Sequence, residues 1–235
     1  MNNFQIFINI NISCKSFYFI INSDAQVQPI FYKKINLDHP IDENFFSQDG
    51  FEIILKKTIL EIEKKFQIPI EKVNLMIEDK KLNTIDITVR ENLENKNINK
   101  TIVEYLLQDV RNQILENHSE KKIAHIVIKK CFIDGEEYNN IPLGKICKNL
   151  VIEISFIYLH KPFVSKLELL LKNHQIEINK IICTNYAKSL IDIDIDDLSK
   201  AGSAVLKDNN LNEVGFYLKK SRKFGFFEKL FHIFS

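Results

Sequence analysis

The chain has 235 residues, of which 45% are hydrophobic and 27% charged, and its formal net charge is +1. That length carries one large domain or two small ones with a full core. The near-zero charge excludes a polyelectrolyte that reads nucleic acid through bulk electrostatics, so no nucleic-acid partner is expected. The four cysteines, Cys14, Cys131, Cys147 and Cys183, lie far apart and form no C-x-x-C pair. They read as reduced, mostly buried thiols and not as a zinc or redox motif. "MNNFQIFINI" has no basic region ahead of its apolar residues, so no signal peptide is expected. No stretch approaches the roughly 20 apolar residues of a spanning helix.

The first elements are strands. "FQIFINI" places Phe4, Ile6, Ile8 and Ile10 on one face, "SFYFII" follows a short polar turn, and "AQVQPIFYKKIN" is a third strand that Pro29 assigns to an edge. The period then changes. Phe51, Ile54, Leu55, Ile59, Ile62 and Phe66 fall three and four apart, which marks an amphipathic helix with Asp49 as its cap and Glu52 three positions on. "EKVNLMIE" and "LNTIDITVR" are strands. A second helix carries Ile102, Val103, Leu106, Leu107, Val110 and Ile114 on one face. "KKIAHIVIKKCFID" and "LVIEISFIYL" are partner strands, Pro162 opens the helix "PFVSKLELLLKNH", and "INKIICT" is another strand. Beyond residue 190, "IDIDIDD" puts Asp192, Asp194 and Asp196 on one strand face. It lacks the glycine turn and closing Glu of a calcium loop, so it reads as a solvated face or a helix-capping run, and no metal site is assigned. A short helix, "LSKAGSAVLKD", precedes a polar linker.

No G-x-S-x-G, H-E-x-x-H, P-loop or G-x-G-x-x-G occurs. His125 lies in an apolar strand and reads as a core histidine with local hydrogen bonds. Cys131, six residues on, shares its face by strand alternation, but two side chains make no catalytic dyad without a third, orienting group. No enzymatic activity is expected.

The last segment, "KKSRKFGFFEKLFHIFS", sets Lys219, Lys220, Arg222 and Lys223 ahead of an amphipathic helix. Phe227, Leu230, Phe231 and Phe234 form its apolar face, widened by Phe226 and Ile233. Aromatic and aliphatic residues beside a cationic cluster are the pattern of a helix lying in a membrane interface. A helix docked on its own domain, or in a groove of a partner, has the same periodicity.

The stretch "HIVIKKCFIDGEEYNNIPLG" resembles a segment of the bacterial actin-like cell-division protein FtsA, in which H-V-I-P-x-x-F-x-x-D-G is followed by N-P-x-G at the same spacing. His125, Ile126, Val127, Asp134, Gly135, Pro142 and Gly144 fall on that pattern; Ile128, Cys131 and Ile141 depart from it. "FGFFEKLFHIF" is similar to the family's terminal amphipathic helix, and "LSKAGSAVLKD" to the helix ahead of its linker. The family's first phosphate loop, D-I-G-T-S-K, corresponds to Asn9, Ile10, Asn11, Ile12, Ser13 and Cys14. Asn9 removes the carboxylate, Asn11 puts a side chain where the backbone should be bare, and Ile12 removes a hydroxyl. Lys15, one place out of register, reads as a solvated lysine. The second loop, D-I-G-G-G-T, has no counterpart, since no two of the six glycines are adjacent. The degenerate loop of Asn9, Asn11, Ile12 and Ser13 therefore implies that no cofactor is bound.

The fold class expected is α+β (mixed α/β). The resemblance implies a partial actin-like, ribonuclease H-like domain with an inserted strand-helix-strand-strand subdomain and a C-terminal amphipathic helix. The expected divisions are 1–68 for the start of the actin-like domain, 69–160 for the insert and 161–207 for the truncated remainder. A basic linker at 208–223 and a membrane-targeting helix at 224–235 follow. The function implied is a scaffold that tethers division proteins to the cytoplasmic face of the inner membrane, at the division site, without nucleotide hydrolysis. Its partners would be anionic inner-membrane lipid, other division proteins through the insert, and further copies of itself. The tubulin-like ring protein FtsZ stays open as a partner, because most of the second large domain has no counterpart after about residue 190. Three alternatives remain: an actin-like ATPase, a pilus-assembly-type actin-like scaffold, and a soluble interaction module with a self-docked terminal helix.

Overall fold

The computed structural model describes residues 4–23, 28–38, 41, 49–191, 197–207 and 210–214, with the backbone alone at 49 and 50. β1 (Phe4–Asn11), β2 (Ser16–Ser23) and β3 (Phe31–Asn36) form an antiparallel meander and lead into helix α1 (Asp49–Phe66). The middle of the chain supplies β4 (Lys72–Glu78), β5 (Thr84–Asn97), α2 (Lys100–Asn117), β6 (Lys121–Ile133), β7 (Glu136–Tyr138) and β8 (Ile146–His160). It closes with α3 (Lys161–Asn173), β9 (Glu177–Cys183), α4 (Thr184–Ser189) and α5 (Leu198–Leu206). One sheet has the order β3-β2-β1-β4-β9, with β4 parallel to β1 and β9 parallel to β4; the other has the order β5-β8-β6-β7.

β1 is buried from Ile6 to Asn11, not on alternate residues as its sequence suggests. It is a central strand covered on both faces, and such strands lose the alternation. Phe17, opposite Ile10 on β2, stacks on Phe51 of α1 with ring centroids 4.4 Å apart, so the Ile6, Ile8 and Ile10 face meets α1. The other face meets α5 so closely that a Cβ on Gly202 would lie 2.6 Å from Phe7 Cε1. β3 is an edge strand, as Pro29 indicates. α1 begins at Asp49.

α2 buries Val103, Leu106, Leu107, Val110 and Ile114 on the four-stranded sheet, and Oδ1 of Asn99 caps it by accepting the Ile102 N–H at 2.9 Å. Proline stands in the first turn of α3, where its missing N–H is harmless. α4 has only six residues, too few for a periodic signal, and the sequence reading passes over it. Asp197 ends the acidic run as the N-cap of α5, its side chain accepting the Lys200 N–H at 3.1 Å; Asp192, Asp194 and Asp196 lie outside the described residues.

The long strands β6 and β8 join two cores. Ile157 and Leu159 pack in the core of the five-stranded sheet, while Leu150, Ile152, Ile154 and Phe156 pack in the core under α2. Residues 210–214, which the sequence assigns to the linker, lie along β6. The Ile128 N–H donates to the Asn212 carbonyl at 2.9 Å and the Val214 N–H to the Ile126 carbonyl at 2.8 Å.

Candidate functional site

Asn9, Asn11, Ile12 and Ser13, which the resemblance sets against a phosphate loop, lie at the end of β1 and in the β1–β2 hairpin. Two of its backbone donors are used inside the protein: the Ile12 N–H donates to the Glu78 carbonyl at 2.9 Å, and the Cys14 N–H donates to Oδ1 of Asn11 at 2.7 Å. The Asn11 side chain thus takes up a donor that a bare glycine would leave to a phosphate. Lys15 sits at positive φ, 48°, in the turn, and Ser13 and Cys14 are exposed. Asn9 is fully buried and donates from Nδ2 to Oγ1 of Thr184 at 2.8 Å, while its Oδ1 has no partner. Asn9 therefore ties β1 to the start of α4.

The neighbouring acidic group is also occupied. Oε1 of Glu78, at the end of β4, lies 2.6 Å from Nζ of Lys188, and both side chains are largely buried. Among the described residues no three His, Cys, Asp or Glu side chains cluster as metal ligands.

A second polar constellation, around His125, was only half legible in the sequence. The imidazole is buried, as expected, but its bonds are not local. Nδ1 lies 2.8 Å from Oε1 of Glu213, and Nε2 accepts the Cys183 N–H at 2.9 Å. A ring that accepts at Nε2 and faces a carboxylate at Nδ1 is the neutral tautomer protonated on Nδ1. Burial lowers the pKa of His125, and its bond to Glu213 opposes that shift only in part. Burial acts to raise the Glu213 carboxyl. The hydrogen bond from His125, the charge of Lys180 Nζ at 3.5 Å and the Tyr186 hydroxyl at 2.8 Å together hold it below the usual range. Asn210 donates in turn to the Tyr186 oxygen at 3.1 Å.

The expected shared face of His125 and Cys131 is not found. The register of β6 against β8 shifts between Ile128 and Lys130, so Lys129 is an extra residue and the alternation reverses. His125 lies opposite Ile157 in one core; Cys131 lies opposite Ile152 in the other. Burial pushes the Cys131 thiol up to about 11, which makes it inert at neutral pH. Cys147 and Cys183 are buried as well, Cys14 is exposed, and all four are free.

The other residues of the quoted stretch shape turns. Asp134 and Gly135 have positive φ, 49° and 92°, in the β6–β7 turn, and the Asp134 carboxylate accepts the Lys148 and Asn149 N–H groups. Gly144, at φ 88°, donates its N–H to the Ile98 carbonyl at 2.7 Å. Lys219, Lys220, Arg222, Lys223, Phe226, Phe227, Leu230, Phe231, Ile233 and Phe234 all lie outside the described residues. Among the described residues no helix is long and apolar enough to cross a membrane.

No protein-family model and no curated protein matches the sequence. Solved structures are similar to it at low identity. One is the PilM–PilN type IV pilus biogenesis complex, 7% identical over 80% of this chain and 49% of that chain, with a TM-score of 0.43. A second is the cytoplasmic domain of EpsL, an inner membrane component of the type II secretion system of Vibrio cholerae. It is 9% identical over 79% of this chain and 57% of that one, with a TM-score of 0.35. A third is a Bacteroides thetaiotaomicron protein with an actin-like ATPase fold, 14% identical over 78% and 53%, with a TM-score of 0.30. The chain spans about half the length of these structures. The fold is mixed α+β and of the actin-like kind. Its own sheet order carries that statement: an antiparallel three-strand meander, then two parallel strands added beside β1.

Proposed function

We propose that the chain is a membrane-associated scaffold of the FtsA-like kind, working without nucleotide hydrolysis. One feature of the sequence carries this: Phe226, Phe227, Leu230, Phe231, Ile233 and Phe234, spaced for one side of a helix, follow directly on Lys219, Lys220, Arg222 and Lys223. Burying each large apolar side chain contributes roughly 1.5–3 kcal/mol at most, and each basic residue near an anionic leaflet adds about 1 kcal/mol. Folding a short isolated helix offsets part of that gain, so attachment is reversible and salt-sensitive. The hairpin supports the second half of the reading, because Asn11 and Glu78 already accept the N–H groups that would meet a phosphate. In this reading the site of action is the cytoplasmic face of the inner membrane, and the four-stranded sheet meets other division proteins and further copies. The test is flotation of the full chain with anionic liposomes: loss of flotation on deleting residues 224–235 is expected, and unchanged flotation overturns the reading. Saturable ATP binding in a calorimetric titration would overturn the second half alone.

A second reading has its own support. Residues 210–214 dock on β6, which is how a C-terminal segment packing on its own domain would begin. Deletion of 224–235 would then lower the melting temperature by several degrees and leave liposomes unbound.

A further inference from the structure

β5 is the outer strand of the four-stranded sheet, paired with β8 on one side and, among the described residues, with nothing on the other. The Tyr158 N–H donates to the Asn83 carbonyl at 3.1 Å, and Thr84 lies opposite Ile157. In an antiparallel ladder the residues alternate between bonding inward and outward. The odd-numbered residues of β5 therefore bond to β8, and the backbone groups of Thr84, Asp86, Thr88 and Arg90 face out from the sheet. Natural edges of this kind are usually blunted by lysine, proline or a bulge. From Thr84 to Asn92 this edge has no lysine or proline, its charges are Asp86, Arg90 and Glu91, and its bulge comes only after Asn92.

The segment is complementary to itself. Laid antiparallel to a second copy about a twofold axis through Thr88, Asp86 of each strand comes opposite Arg90 of the other, and Ile87 opposite Val89. All outward-bonding residues then face outward-bonding residues, so the backbone ladder closes as well. The neighbouring even registers, centred on Ile87 or Val89, bring no opposite charges together. Arg90 is exposed and has no ion-pair partner among the described residues, and Asp86, which bonds to Ser155 across from it on β8, has the exposed Lys129 as its ion-pair partner, at 3.1 Å. Ile85, Ile87 and Val89 extend the core under α2 up to the edge, so pairing continues that apolar layer.

We propose that the free edge of β5 is a dimerisation surface, on which two copies pair antiparallel about Thr88 with reciprocal Asp86–Arg90 contacts, making one eight-stranded sheet. This deepens the scaffold reading but does not depend on the membrane half of it. Failure to float with liposomes leaves the dimer standing, and a monomeric chain leaves the anchor standing.

Sedimentation equilibrium of the full chain is the test. Cross-strand charge pairs are individually small and like charges opposite each other are unfavourable, so Arg90→Glu is expected to weaken the dimer by about tenfold or more. Asp86→Arg should do the same, and the double exchange Asp86→Arg/Arg90→Glu should restore it to within about threefold, since the swap regenerates both pairs. Thr88→Pro removes an outward N–H and none of those bonded to β8, so it should abolish pairing in a folded protein. In a Cys14→Ser background, Thr88→Cys should oxidise to a covalent dimer, because facing residues of a hydrogen-bonded pair have Cα atoms about 5.5 Å apart. A chain that is monomeric at all concentrations overturns the proposal, as does a dimer indifferent to both Arg90→Glu and Thr88→Pro.

Discussion

Nδ1 of His125 lies 2.8 Å from Oε1 of Glu213, a residue 88 positions further along the chain. The contact fastens residues 210–214 to the joint between the two cores, because His125 also accepts the N–H of Cys183 at the end of β9. Glu213→Ala would leave the imidazole N–H and the Tyr186 hydroxyl without their acceptor. The expected loss is about 2–4 kcal/mol of unfolding free energy in a urea titration. Limited proteolysis should cut at residues 210–214 in the variant and not in the parent.

The same pair sets a pH dependence. His125 has a folded pKa below its ordinary 6.5, so the unfolded chain binds the extra proton first and stability falls as pH drops below about 6.5. Glu213, held below 4.5, adds a second loss in the same direction as pH falls from about 4.5. Melting temperature should therefore decline on acidification from pH 7. His125→Gln, though less stable at pH 7, should show a flatter profile between pH 7 and 5.

Gly202 is needed for closeness. A Cβ there would sit 2.6 Å from Phe7 Cε1 and 3.0 Å from Met76 Sδ. Gly202→Ala gains about 1 kcal/mol of helix propensity but overpacks a filled core, with a net cost expected at about 1–3 kcal/mol. Adding Phe7→Leu makes room, so the double variant should be more stable than the two single costs sum to, as read by chemical denaturation.

Asn9 tests the degenerate loop. Asn9→Asp would place a carboxylate at a position with no solvent exposure, where Thr184 Oγ1 is the sole side-chain partner. Burial would raise the pKa of that acid. Stability should then be lost as pH rises above about 4, opposite in slope to the His125 effect, and the variant should be nearest the parent near pH 4.

The sequence marked the apolar face of α2, all of it buried except the partly buried Ile102, because one apolar stripe on one sheet gives a clean 3.6-residue period. It marked the edge position of β3 through Pro29. It did not show that β1 is covered twice, since alternate isoleucines look alike whether Phe7 and Asn9 face solvent or the helices α5 and α4. α4 was too short to leave a period, and a one-residue bulge at Lys129 is invisible in a run of strand formers, so the faces of His125 and Cys131 were misassigned.

Local pattern alone determined the mixed α+β class and the amphipathic helices, because each depends on neighbours within a few residues. Only the tertiary structure decided what Asn9, Asn11 and His125 bond to. Asn9 clamps Thr184, Asn11 takes up the turn's own N–H, and His125 closes on a glutamate far along the chain. A hydrogen bond is satisfied by whatever atom folding brings within about 3 Å, and sequence distance does not constrain which atom that is.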